Sequence, residues 1–409
     1  MKTKQIPFWL AAVALIATMA SCSKKETTNV IKPVVPPSHP ITAGNISGFV
    51  KGTLLAGSTY TVTADVYVKP GDTLLAQPGA NIVVKNNAQF QIQGVFKSLG
   101  TQANPVTFDS DTHTAGSWGG FACDSAQAIT VQWTKIFNTG GPDNAGDARR
   151  SFVVSKPIKV EIEDSWIENG KDDGLGMFGG AQVTILRNTI QSGGSGDGEA
   201  INLKGGTTGT VAYNVIFNQA GTAIKLETSS VVTTAFTNVD VYNNTCVSCG
   251  WRRGAAEPGR GVSAGVSAKG NIYNNIIVNC YHGLEIFVDD GAGNVKYGNN
   301  LFYSSADFFV DNTPLQDVPP GQPINVDIRA GFYPAGSLGV PQSTDIISTS
   351  VATGNPMFKS FDGSFLNPNG APNNNDFHLQ AGSPALGKGN PTYNADMGAY
   401  TSDGKGNKH

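Results

Sequence analysis

The sequence predicts an all-β chain wound as a stack of parallel coils, a β solenoid, and three observations carry that expectation. Seven segments align on one another without gaps across eight positions. Within each, apolar residues alternate with period two, the spacing of a strand and not of a helix. Of 409 residues 50 are Gly and 14% are charged, a composition that suits tight turns and buried sheets and argues against a mostly helical or disordered chain. A formal net charge of −3 excludes a general nucleic-acid binder.

Residues 1–22 read as a secretory leader. Lys2 and Lys4 supply the positive start, residues 8–17 an apolar run too short to span a membrane, and Met19-Ala20-Ser21-Cys22 a small-residue cleavage site. A Cys closing such a leader resembles the lipobox of bacterial lipoproteins, although Met19 stands where Leu is usual. The resemblance implies an exported outer-membrane lipoprotein, lipidated at Cys22 and displayed at the cell surface; the alternative is an ordinary leader with an incidental Cys. Residues 23–43 carry Pro33, Pro36, Pro37 and Pro40 and are expected to form an extended tether of up to ~3.1 Å per residue. The coils are expected over residues 44–310, and an irregular insertion and closing cap over 311–409.

The repeat is counted from a polar bend at Thr134, Ser165, Asn188, Asn214, Asn244, Asn275 and Asn300, spaced by 31, 23, 26, 30, 31 and 25 residues. Five residues earlier stand Ile129, Val160, Val183, Gly209, Val239, Gly270 and Val295. Two residues later stand Ile136, Ile167, Ile190, Ile216, Cys246, Ile277 and Phe302. A variable repeat of short strands broken at one fixed place is what stacked coils about 4.8 Å apart require. The Asn at the break is expected to adopt left-handed backbone geometry and to bond the same amide one coil away. Asn138, Asn169, Ser192, Asn218, Ser248, Asn279 and Ser304 continue the polar pattern four residues after each bend. Cys249 and Cys280 lie five residues past their bends on neighbouring coils, so they are either a disulfide or two half-buried thiols. Cys246 and Cys249 have CxxC spacing, a weak zinc signal without a second pair.

A second strand set completes six coils: Phe152-Val153-Val154, Leu175-Gly176-Met177, Ile201-Asn202-Leu203, Ile224-Lys225-Leu226, Val262-Ser263-Ala264 and Leu284-Glu285-Ile286. A short Asn-bearing bend between two strands, then a longer loop and a third strand, resembles the right-handed parallel β-helix of the pectin-lyase-like superfamily. The segments 66–121 look like the opening coils of surface lipoproteins of this class. Asp376-Phe377-His378-Leu379, Gly382-Ser383-Pro384-Ala385 and Asp396-Met397-Gly398-Ala399-Tyr400 resemble their closing segment.

The resemblance implies that the strand after the long loop carries a substrate groove, floored by Gly176, Asn202, Lys225, Ser263 and Glu285. Arg150, Asp173, Glu199, Thr222, Arg260 and His282 lie just before these strands, one per coil. Asp172, Asp173, Asp197 and Glu199 place four carboxylates on two consecutive coils, where either one retains a proton or a hard cation binds, making Ca2+ the candidate cofactor. On this reading Asp173 and Glu199 are catalytic carboxylates, Lys225 and Arg260 candidate bases, and Asn202, Trp251, Arg252, His282 and Glu285 bind the sugar chain. The alternative is that these are ordinary sheet and loop residues, with Trp251 folded back on the coils. The sequence lacks the three-Asp and Arg-x-Lys patterns of polygalacturonases, and Trp166-Ile167 is followed by Glu168-Asn169 where pectate lyases carry Asp-His, so those enzymes' roles are not carried over. The expected partners are a polysaccharide, acidic ones included, and a membrane through the lipid; nucleic acid is not expected, and the chain is expected to be a monomer. The function expected is polysaccharide engagement, with lyase or hydrolase chemistry open, and a non-catalytic adhesion or structural surface protein as the alternative.

Overall fold

The computed structural model describes residues 38–192, 196–228, 234–253, 259–286, 294–303, 305, 328–329, 341–348, 352–362 and 374–409. Cys22, Ser304 and most of 311–350 lie outside these. The described chain is a parallel β-helix of three strand stacks. Ahead of each bend the first stack includes Ala128–Gln132, Lys159–Glu163, Gln182–Leu186, Thr208–Ala212, Thr237–Tyr242, Ala268–Tyr273 and Val295–Gly298, part of a sheet of 11 strands among the described residues. After the bend the second stack includes Thr134–Phe137, Trp166–Gly170, Thr189–Ser192, Val215–Phe217, Thr245–Val247, Ile276–Val278 and Leu301–Tyr303. The third includes Phe152–Val154, Leu175–Met177, Ile201–Leu203, Ile224–Leu226, Arg260–Ala264 and His282–Ile286.

The register is the one read from the repeat. Ile136 pairs with Ile167, Ile167 with Ile190, Ile190 with Ile216, Ile216 with Cys246, Cys246 with Ile277 and Ile277 with Phe302, all in parallel. Period-two alternation turns these columns inward, and their members form one continuous core. Aromatic rings stack in the early coils: Phe121 lies 5.0 Å from Phe90 and 4.4 Å from Phe152, centroid to centroid. The helix starts slightly earlier than the expected Gly44, because Pro40–Ile41 already pairs with Thr53 and Leu54.

The bend is held by a ladder of side-chain amides. Asn188 Nδ2 donates to Asn214 Oδ1 at 2.9 Å, Asn214 to Asn244 at 2.9 Å, Asn244 to Asn275 at 3.0 Å and Asn275 to Asn300 at 3.0 Å. Each Oδ1 also accepts the backbone N–H of the preceding ladder Asn, and each Nδ2 reaches back to a carbonyl of the coil before, as Asn244 does to Val211 at 3.0 Å. Ser165 N–H starts the series on Asn188 Oδ1, and Asp345 Oδ1 ends it by accepting from Asn300 N–H. The left-handed residue is not the ladder Asn but its predecessor: Trp133, Asp164, Arg187, Tyr213, Asn243, Asn274 and Asn299 all have φ between 46° and 59°. Rotating the chain there leaves the ladder residue in a strand-like conformation with its amide pointing along the stack. The residues four past the bend form a second left-handed corner at Asn138, Asn169, Asn218, Ser248 and Asn279.

The described closing segment lies along the side of the helix. The outer faces of Val215, Phe217, Val247, Ile276, Val278, Leu301 and Tyr303 form a second apolar cluster, covered by Phe358, Phe377, Ala385, Met397 and Ala399. The chain then runs back against coil order along the bend. Asn299 Nδ2 donates to Lys388 O, Asn274 Nδ2 to Asn394 O, Asn243 Nδ2 to Asp396 O and Asn407 Nδ2 to Tyr213 O. His409 stacks on Trp166 at 3.9 Å and shares a hydrogen bond with Thr189 at 2.8 Å. The left-handed corners explain this docking, since they point side chains and carbonyls outward at one place in every coil.

Replacing Asn244 with Leu removes donors to Val211 and Asn275 and the acceptor for Asn214, all in a site with no solvent. At about 1–3 kcal/mol for each orphaned buried group, the expected loss is on the order of 3 kcal/mol. Guanidinium unfolding reads it, and an unchanged midpoint would remove the ladder from the list of stabilising features.

Candidate functional site

The third stack and the turns leading into it bring the acidic residues together as a buried ionic network. Gly198 makes this approach possible: with φ of +95°, a Cβ on it would stand 2.3 Å from the Asp172 carbonyl carbon, so only Gly lets the Asp197-Gly198-Glu199 turn sit on the coil before. Asp173 is 2% exposed and Glu199 5%. Asp173 Oδ2 accepts from Arg150 Nε at 2.8 Å and Asn202 Nδ2 at 2.9 Å, and its Oδ1 accepts the Glu199 N–H at 2.8 Å. Glu199 Oε1 accepts from Arg253 Nη1 at 2.9 Å and lies 3.5 Å from Lys225 Nζ, which stands equally far from Glu227. Arg253 also reaches Asp197 at 2.9 Å. Asn202 Oδ1 is buried with no hydrogen-bond partner among the described residues.

Two carboxyls this close do not both ionise at neutral pH. Burial, and then the Asp173 charge, push Glu199 up to about 7. Burial alone would also raise Asp173, but hydrogen bonds from the Glu199 carboxyl and N–H and from Arg150 outweigh it and hold Asp173 below the usual carboxylate range. Glu199 is thus the protonated partner, donating to the Asp173 carboxylate. Asp172 is pushed up to about 6, by burial first and Asp173 second. Burial would lower Lys225, yet Glu199, once ionised, and Glu227 outweigh it and raise the ammonium above its ordinary value.

These facts reassign most of the expected roles. Lys225 stands 3.5 Å from both Glu199 and Glu227, and Arg260 is ion-paired with Glu285. His282 and Glu285 are fully buried and Asn202 is 4% exposed, so these expected groove residues are not open to solvent. Trp251 donates its Nε1–H to Asn279 O at 2.8 Å and packs its ring 5.2 Å from Tyr281, while Arg252 clamps Asn218 through Oδ1 at 2.7 Å and O at 2.8 Å. Both are fastened to the coils. Among the described residues no three acidic, His or Cys side chains gather as a cation site, and Asp173 accepts from Arg150, Asn202 and the Glu199 N–H. Arg253, next in sequence to Trp251 and Arg252 but not among the expected site residues, is the residue that ties Asp197 to Glu199.

What the face does present is Arg150 and Phe178. The Arg150 guanidinium lies 5.5 Å from the Phe178 ring centroid, and 39% of its side chain is exposed. Gly176 makes room, because a Cβ there would meet Arg150 Cδ at 2.8 Å and the Phe178 ring at 3.0 Å.

Residues 119–306 match a family model described as "right handed beta helix region", and the fold is a right-handed parallel β-helix. No curated protein matches the chain. Among solved structures, the chain is similar to the surface protein and adhesin PfbA of Streptococcus pneumoniae, at 11% identity over 63% of this chain and 88% of that one, with a TM-score of 0.32. It is also similar to the pectate lyase Pel9A, at 14% identity over 88% of this chain and 85% of that one, with a TM-score of 0.32.

The proton on Glu199 makes a prediction with a definite sign. The folded protein keeps it to about pH 7 whereas the unfolded chain releases it near 4.5, so its contribution to stability is complete below about 4.5 and is lost as pH rises through 7. Asp172 acts in the same direction; Asp173 opposes it only as pH falls below its ordinary 3.8, and His409, which burial lowers to about 4, opposes the two carboxyls, more weakly than they act together, between about pH 4 and its ordinary 6.5. The unfolding midpoint should therefore be lower at pH 8 than at pH 5, and Glu199→Gln, which keeps a donor toward Asp173, should flatten that decline. Equal declines in the two proteins would place the proton elsewhere.

Proposed function

We propose that this protein is an exported, lipid-anchored β-helix that binds an acidic polysaccharide on the third-stack face, by recognition and not by catalysis. The observation that carries the reading is that Asp173 and Glu199 are buried and hydrogen-bonded to Arg150, Asn202 and Arg253, while Arg150, fixed by Asp173, lies open beside Phe178. A guanidinium fork matches a uronate carboxylate, and an aromatic ring face suits the C–H face of a sugar. A rigid ionic base lowers the ordering cost of presenting both. Export and the lipid on Cys22 are supported by the leader.

Binding is measured by calorimetry and thermal shift against acidic and neutral polysaccharides, with ultraviolet absorbance and reducing ends followed in the same mixtures, with calcium and with chelator. Acidic chains should bind and raise Tm, chelator should change nothing, and no product should form. Phe178→Ala, which leaves Asp173 paired, and Arg150→Ala should each weaken binding about tenfold, near 1.4 kcal/mol. Product that disappears in Asp173→Ala would replace recognition with catalysis, and silence across the panel would favour a structural or adhesion role.

The address is tested separately. In a bacterial host the full chain should partition with membranes and carry acyl mass on Cys22, and Cys22→Ala should release it to the soluble fraction. A soluble, unacylated wild-type chain would overturn the lipoprotein reading.

A further inference from the structure

Three thiols lie inside the later coils, and two of them are placed as a pair. Cys249 and Cys280 follow the second left-handed corner, formed by Ser248 and Asn279, on consecutive coils. Backbone bonds fix their alignment from both sides: Ser248 N–H donates to Val278 O at 2.9 Å and Tyr281 N–H to Cys249 O at 2.8 Å. Residues so aligned on adjacent parallel strands have Cα atoms about 4.8 Å apart, within the range of roughly 4.4–6.8 Å that a disulfide spans. Both side chains point into the core and are 0% exposed. They hold matching orientations, with Cys280 Sγ 3.6 Å from Cys246 O and Cys249 Sγ 3.9 Å from the equivalent carbonyl of Ile216 one coil earlier. Both are free thiols in this structure. Cys246 is aligned with Ile216 and Ile277, so it faces no Cys on either neighbouring coil.

We propose that Cys249 and Cys280 are the site of an intercoil disulfide, formed when the chain folds under oxidising conditions; the thiol form is the same fold before that step. The chemistry balances with a protein or small-molecule disulfide as oxidant. The Cys249 thiolate attacks the oxidant's S–S bond and displaces one thiolate. The Cys280 thiolate then attacks Cys249 Sγ in the mixed disulfide and expels the other. Two protons and two electrons leave the protein, and the oxidant is reduced to two thiols. The step comes before the coils close, since burial pushes the Cys280 thiol up and excludes the oxidant.

The proposal draws its physiological setting from the exported reading, and the experiment separates the two. Reduced, denatured full-length protein is refolded in a glutathione redox mixture, quenched with an alkylating reagent in denaturant and mapped by peptide mass. Cys123 and Cys246 should be alkylated, while Cys249 and Cys280 appear as one linked peptide 2 Da lighter than its reduced parts. Reductant should lower the guanidinium midpoint of the bridged protein but not that of Cys249→Ser/Cys280→Ser. Alkylation of both Cys249 and Cys280, or a bridge through Cys246, would overturn the proposal. The same map on protein taken from cell membranes tests the setting: a bridge on refolding that is missing from cells upholds the site and counts against export.

Discussion

The amide-to-amide hydrogen bond at the bend is the constraint on which the rest of the structure depends. A coil that turns sharply takes backbone groups out of the strand ladder and buries them, and no water reaches the interior to replace what is lost. An Asn side chain repairs this because it is donor and acceptor at once. Its oxygen takes the N–H and amide of the coil before, and its nitrogen reaches that coil's carbonyl and the next coil's oxygen. Ser165 and Thr134 lack the second donor, so toward the start of the helix the series thins to a hydroxyl pairing, Thr134 with Ser98 at 2.7 Å. Because every ladder bond joins neighbouring coils, the spacing and the lateral register of all three stacks are set at one corner.

That corner is also why so much of the fold was legible. A core column tolerates no one-residue slip, since a slip turns its apolar residues out to solvent, so the repeat alone aligns Ile136 to Phe302, and all pair in that register. Backbone handedness was less legible: Asn243, Asn274 and Asn299 precede ladder Asn residues and blur which of two Asn is left-handed, and in earlier coils Trp133, Asp164, Arg187 and Tyr213 take that conformation without a compositional hint. The side-on docking of the closing segment was not legible, because the outward apolar positions Val215, Val247 and Ile276 looked like noise in a pattern read for its inward face.

The acidic site shows a different limit. Charge type and coil position were evident in Asp173 and Glu199, and the sequence placed them on successive coils. Whether such a pair works on a substrate or on its own protein depends on how its lone pairs are used, and that is decided by side chains from elsewhere: Arg150 one coil before, Asn202 on the next strand and Arg253 from a loop 54 residues on. Sequence proximity carries no record of that convergence. The outward face is correspondingly a product of the buried one, with Arg150 open on one side and anchored on the other.

A stack of coils in which each touches only its neighbours can in principle unzip from either end or fray locally. The returning segment changes that. Residues near 407–409 bond to positions some 200 residues earlier, Thr189 and Tyr213 among them, while residues 388–398 bind coils further along. One short stretch of chain is thereby tied to many coils at once, converting a line of local contacts into a loop of long ones. The coils can wind in order as the chain emerges from a narrow exit, but this fastening waits for residues 388–409 to follow them. Its cost is a slow final step of high contact order, and its return is that the fastened coils come apart together or not at all.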